Sequence, residues 1–275
     1  TTVSYAFMLS ESGMAKKVKG ELDEFITDMK SNGGIETLAE KWLSGRKPTE
    51  FEDYSTLSGE NGIITVAVSN SDAPLSFVSE DIMIAFAKEY GYKLNFAPVD
   101  FEAKLGGIAS NKYDIAIGGI TVTDERREEM NFTVSYYESP VVMVTKGQDN
   151  AGSTLSDLAG KKVGVMTASI QAVMMPELVP DAEYMEFNSI SDMIAALNSN
   201  KIDAFGCDES LYTSMLWEGQ AVDRIDEPID KSNYGLIFQK GKKLELQNEV
   251  NEFIATINAD GTLKSVLGTT NVLNI

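Results

Sequence analysis

The sequence predicts an α/β protein built as two lobes, on three observations. Strand-like apolar runs alternate with amphipathic helix patterns from residue 62, and a second such series begins after residue 147. The chain also crosses between the two series twice, near 137–142 and 229–238. Alternation of this kind implies βαβ units and mostly parallel sheets.

Taken in order, IITVAVS (63–69) reads as a strand and IMIAFAKEYG (82–91) as an amphipathic helix closed by glycine. YKLNFAPV (92–99) is a strand and AKLGGIASN (103–111) a helix. YDIAIGGI (113–120), apolar and bounded by glycines, reads as a core strand. Thr123 then caps a helix whose first turn carries Asp124 and Glu125, as the helix dipole favours. After SPVVMVTKG (139–147), KKVGVM and AEYMEF are strands and ISDMIAALNSNK a helix. KIDAFGC is a third strand running into the helix ESLYTSMLW. NYGLIF (233–238) crosses back, with helices expected at 243–259 and 261–267.

With 275 residues the chain can give each lobe its own core. Its 43% apolar and 24% charged residues are those of a globular protein. No run approaches the ~18 apolar residues that span a bilayer. The opening TTVSYAFML has neither a basic n-region nor an initiating Met, so it reads as a mature or trimmed form. A net charge of −19 with no basic stripe argues against nucleic acid and against docking on anionic lipid. Without histidine, no His-based triad or His metal site can be built. The single Cys207 excludes an internal disulfide and a cysteine-cluster zinc site.

The most informative stretch is GGITVTDERREEMNFTVSYY (118–137). It places Arg126 in the opening turn of a helix directly after a buried strand, at the strand's carboxyl end, where open α/β sheets bind ligands. A guanidinium there, beside the Thr121 hydroxyl, suits bidentate capture of a carboxylate. The competing reading is a surface pair of Arg126 with Glu129 at i, i+3.

The run resembles the G-x-[ST]-x-T-x-x-R-x-x-x-x-x-F-[ST]-x-x-Y-Y signature of the extracytoplasmic solute-binding proteins of polar amino acid ABC transporters. Gly119, Thr121, Thr123, Arg126, Phe132, Thr133, Tyr136 and Tyr137 fall in register, and similarity extends from about 62 to about 268. The resemblance implies the type II periplasmic-binding-protein fold, two hinged clam-like lobes that close on an amino acid. It implies delivery to a membrane permease, an extracytoplasmic location (periplasm or cell surface, with or without a lipid anchor), a monomer, and no cofactor or metal.

The first 45 residues carry an internal repeat. Glu21, Glu24, Phe25, Ile26 and Gly33 match Glu249, Glu252, Phe253, Ile254 and Gly261 at a constant offset, and Tyr5 matches Tyr234 after a one-residue shift. Residues 1–45 thus look like the tail of another solute-binding domain in a tandem parent, with 46–61 a polar linker. Lobe 1 is expected from 62–138 and 233–275, and lobe 2 from 139–232. Two other placements stay open: an unrelated helix pair packed on lobe 1, or the first copy in the place of the second.

A free amino acid presents a carboxylate and an ammonium, and burying both charges costs several kcal/mol each unless they are paired. For the carboxylate, Arg126 and Thr121 are the candidates on lobe 1, and the resemblance also implies ligand contact at Gly119. On lobe 2, KVGVM (162–166) ends in small hydroxyl residues before a helix start, an anion-binding arrangement that an ordinary N-cap would also produce. The family's binding loop falls here, which selects Ser169; Met166 stands where some members place a polar or cationic group. For the ammonium, Ile202-Asp203-Ala204-Phe205-Gly206-Cys207-Asp208 matches the family's [IV]-D-A-x-x-x-D, which implies Asp208. A helix cap is the competing role for Asp208, and Asp203 reads as structural. Phe101 matches an aromatic that stacks on ligand in relatives, or is a core ring.

Ser69 and Asp72 align with positions that touch the ligand side chain, where relatives often carry an acid and an aromatic respectively. The stretch SFVSEDIMIAF is several residues shorter than the family's lip between first strand and first helix. Two further functions share this fold. One is the ligand-sensing domain of a membrane receptor, which flanking sequence would reveal. The other is a dehydratase-like enzyme, for which Glu138, Asp72 and Asp208 are the available acids. The absence of any Ser/His/Asp set, metal cluster or phosphate loop favours a non-enzymatic receptor.

Overall fold

The computed structural model describes residues 2–43, 53–68, 75–147, 154–227 and 229. The expected return strand 233–238 and the helices at 243–259 and 261–267 lie outside the described residues. What is described forms two α/β lobes, each on its own sheet.

Lobe 1 holds a five-stranded sheet. Its parallel centre is β3 (Ile63–Val68) between β4 (Lys93–Pro98) and β5 (Ile115–Ala116). The remaining strands are β2 (Met8–Leu9) and β6 (Asn131–Phe132), with β2 antiparallel to both β5 and β6. A strand from the N-terminal repeat copy is thus woven into the lobe-1 sheet. The preceding β1 (Thr2–Tyr5) runs antiparallel to the first residues of β7 (Tyr137–Lys146), the strand that leads into lobe 2. In lobe 2, β8 (Lys162–Met166) lies parallel between β9 (Glu183–Phe187) and β10 (Ala204–Asp208). Both β10 and the short β11 (Val222–Arg224) pair antiparallel with β7.

The helices follow their apolar periodicity. In α1 (Gly13–Ser31) the buried residues Ala15, Val18, Leu22, Phe25 and Ile26 recur at three- and four-residue spacing, and Ser12 caps the start by accepting from Ala15 N–H. This stripe enters the same core as Ile64, Val66, Ile82 and Phe86 of lobe 1. Each such side chain contributes roughly 1.5–3 kcal/mol by leaving water. The next helix, α2 (Gly34–Leu43), buries Ile35 and Trp42.

Two boundaries differ from the sequence reading. The helix expected over 82–91 is α3, Leu75–Tyr90, so SFVSED belongs to it. Ser79 is tolerated on its buried face because its Oγ donates to Leu75 C=O at 3.0 Å and pairs with Tyr136 Oη at 2.8 Å. Gly91, at φ 68°, ends the helix as expected. The strand expected over 113–120 pairs only at Ile115–Ala116. Gly118 and Gly119, at φ 82° and 60°, turn the backbone out of the ladder.

Candidate functional site

The turn that cuts β5 short is what delivers the lobe-1 side of the site. It carries Gly119 and Thr121 to the sheet's carboxyl edge, and Thr123 then opens α5 (Asp124–Glu129), its Oγ1 accepting from Arg126 N–H at 3.1 Å. The Arg126 guanidinium returns over its own loop and donates to Thr121 C=O at 2.8 Å. Its other arm reaches across to lobe 2, donating to Ala168 C=O at 2.8 Å. Arg126 Cζ stands 6.0 Å from the centre of the Phe101 ring at the start of α4 (Phe101–Ala109).

Lobe 2 supplies two facing elements. The loop after β8 passes through Ala168 at φ 60° and reaches Ser169, which caps α6 (Ile170–Leu178) by accepting from Ala172 N–H at 3.2 Å. Strand β10 ends at Asp208, ahead of α8 (Glu209–Trp217). Asp208 makes no side-chain cap for that helix. Instead its carboxylate accepts the phenol of Tyr5.

Between these elements lies a cavity lined from lobe 1 by Phe101, Gly119 and Thr121 and from lobe 2 by Met166, Ser169 and Asp208. The rest of its wall is largely uncharged and includes Ile170, Gln171, Ile190 and Leu211. The fold therefore gathers Thr121, Gly119, Phe101, Ser169 and Asp208 around one gap, and Arg126 is held beside it by the Thr121 and Ala168 carbonyls. Ser69 and Asp72 lie outside the described residues. Phe101 also packs with Ala67, Ile108 and Ile120, so the ring is both core and wall. Ser169 likewise both caps a helix and lines the cavity.

Two neighbours were missed from sequence. Lys104 is fully buried and donates to Ile117 and Gly118 C=O at 3.0 and 2.8 Å, holding the glycine turn. Its signal was a lysine in register with Phe101 and Ile108 on the buried stripe of α4. Tyr5 was visible only as a matched position of the repeat. Burial, with the Asp208 carboxylate beside it, holds the Tyr5 phenol well above the usual tyrosine range, so it remains a donor. Burial and Asp208 likewise keep the Cys207 thiol protonated and unreactive. Among the described residues no cluster of acids or cysteine could hold a metal ion, and no helix is long and apolar enough to cross a membrane.

Two α/β lobes meeting at a cavity that the Asp208 carboxylate lines, with the Arg126 guanidinium held beside it, have the architecture of a two-lobed binding protein. Residues 64–268 match the model of the bacterial extracellular solute-binding proteins, family 3, and the chain belongs to that family. It is 26% identical over 191 residues to a probable histidine-binding protein of Campylobacter jejuni, covering 69% of this chain and 74% of that protein. It is 24% identical to the L-cystine-binding protein TcyJ of Escherichia coli, covering 83% and 91%. Among solved structures, an ancestral arginine-binding protein bound to glutamine superposes with a TM-score of 0.56 at 26% identity, covering 75% of this chain and 96% of that one. An L-arginine-bound ABC transporter substrate-binding protein, AbpA, of Streptococcus pneumoniae gives 0.57 at 26%, covering 76% and 94%.

Proposed function

We propose that the chain binds a free amino acid between its lobes, outside the cytoplasm, and presents it to an ABC transporter permease without chemical change. One observation carries this reading: Thr121 on lobe 1 and Asp208 on lobe 2 line the same gap, with the Arg126 guanidinium bonded to Thr121 C=O beside it. In this reading the carboxylate takes the guanidinium and the amides and hydroxyls of Gly119, Thr121 and Ser169, and the ammonium takes Asp208. Each buried charge then has an opposite partner, which offsets its desolvation. Phe101 and the apolar lobe-2 wall accept the side chain. The relatives named for histidine, cystine and arginine binding support the ligand class.

A thermal-shift scan of the full chain against the twenty standard amino acids at millimolar concentration tests the reading. A ligand at 1,000 times its Kd adds about 4 kcal/mol of stability, a shift of several degrees. A flat panel overturns amino acid binding.

A further inference from the structure

Tyr5 belongs to the N-terminal repeat copy, yet its backbone is stitched to the loop that carries the lobe-1 half of the site. Tyr5 bridges Thr121, Ala6 N–H donates to Ile120 C=O at 3.2 Å, and Val122 N–H donates to Ser4 C=O at 2.9 Å. On the other side its carbonyl accepts from Tyr136 N–H at 3.0 Å and Ser135 Oγ at 3.1 Å. These bonds leave the Cα of Tyr5 little freedom. The side chain is 1% exposed, and its phenol ends on the Oδ1 of Asp208.

We propose that Tyr5 is a positioning residue of the binding site, tying the lobe-2 carboxylate to the lobe-1 loop that carries Thr121. This rests on the amino acid reading above. The phenol holds the Asp208 carboxylate in place where it lines the cavity. Because the same residue is bonded to the Thr121 loop, the groups that receive carboxylate and ammonium keep a fixed separation. A carboxylate held by a rigid donor is also already oriented before ligand arrives, which lowers the ordering cost of binding. The second repeat copy keeps a tyrosine, Tyr234, at the matching place.

Two measurements on the full chain decide this. The first needs no ligand: denaturant unfolding of wild type, Tyr5→Phe, Asp208→Ala and the double variant. Tyr5→Phe keeps the ring and should lower the folding constant about tenfold, an effect that vanishes in the Asp208→Ala background. Equal losses in both backgrounds overturn the coupling. The second uses the standard amino acid giving the largest thermal shift, together with its 2-hydroxy analogue, which lacks the ammonium. Tyr5→Phe should weaken the amino acid about tenfold by calorimetry and leave the 2-hydroxy acid within about twofold. Equal weakening of both compounds overturns the ammonium role. If no amino acid shifts the wild type, the amino acid reading and the ammonium role fall together, and the unfolding series still decides the coupling.

Discussion

Asp81 of α3 and Trp42 of α2 are joined by a buried hydrogen bond, the indole Nε1 donating to Oδ2 at 2.7 Å. Lys41 Nζ reaches the same oxygen at 2.7 Å. A carboxylate only 3% exposed thus depends on two donors from the N-terminal segment. In the second repeat copy the positions matching Lys41 and Trp42, at the same offset, are Thr269 and Thr270.

Asp81→Ala should therefore destabilise the chain by about 2–4 kcal/mol, since it strands a buried indole N–H and removes an ion pair. Lys41→Ala should cost less, about 1 kcal/mol, because its ammonium is partly solvated and Trp42 still serves the carboxylate. Urea unfolding of the two variants checks the order; equal losses would contradict it.

Glu80, the neighbour of that carboxylate, is pushed up to about 7, first by burial and then by the charge of Asp81. The native state therefore holds a proton that the unfolded chain releases near pH 4.5. Between about pH 4.5 and 7 the unfolded state binds fewer protons, so this group's contribution to stability falls as pH rises, and it levels off above 7. Screening at a half-buried site limits the effect to about 1–2 kcal/mol. Glu80→Gln should flatten that decline and be the more stable protein at pH 8, as measured by unfolding at several pH values.

Lys104 sits under the glycine turn that carries Gly119. Lys104→Met keeps the length and apolar stem but withdraws both bonds to the Ile117 and Gly118 carbonyls. A loss of about 2–3 kcal/mol in stability is expected, with weaker binding of any ligand found in the panel. Calorimetry alongside denaturant unfolding separates the two effects.

Arg126→Ala removes the donor to Thr121 and Ala168, one on each lobe. The expected outcome is loss of ligand-induced thermal stabilisation, with the circular dichroism spectrum of the fold retained. Arg126→Lys should recover little, because an ammonium lacks the planar fork that reaches two acceptors at once. Undiminished stabilisation in the alanine variant would remove Arg126 from the site.

Much of this was legible in the sequence because it depends on local chemistry. Thr123 caps its helix, Gly91 ends another, and the apolar runs at 63–68, 162–166 and 204–208 become strands. The same local patterns placed Arg126, Phe101, Ser169 and Asp208 at strand or helix ends, and the ends carrying Phe101, Ser169 and Asp208 line one cavity. What escaped was set by partners distant in sequence. The short span of β5 follows from two glycines whose positive φ matters only once β2 lies beside it. Lys104 resembled an ordinary helix lysine until the carbonyls of 117 and 118 closed over it. Tyr5 meets Asp208 across some two hundred residues, a contact that no periodicity encodes.

The placement of β1 and β2 also sets the order in which the chain can be completed during synthesis. Residues 2–9 leave the ribosome well over a hundred residues before their partners at 131–140. At typical translation rates of about 5–20 residues per second, that interval is roughly 7–25 s. For the first part of it, until Ile64, Val66, Ile82 and Phe86 have followed, the stripe of Val18, Leu22, Phe25 and Ile26 lacks the lobe-1 core that covers it. The lobe-1 strand made first, β2, is thus paired only when the lobe-1 sheet is nearly complete.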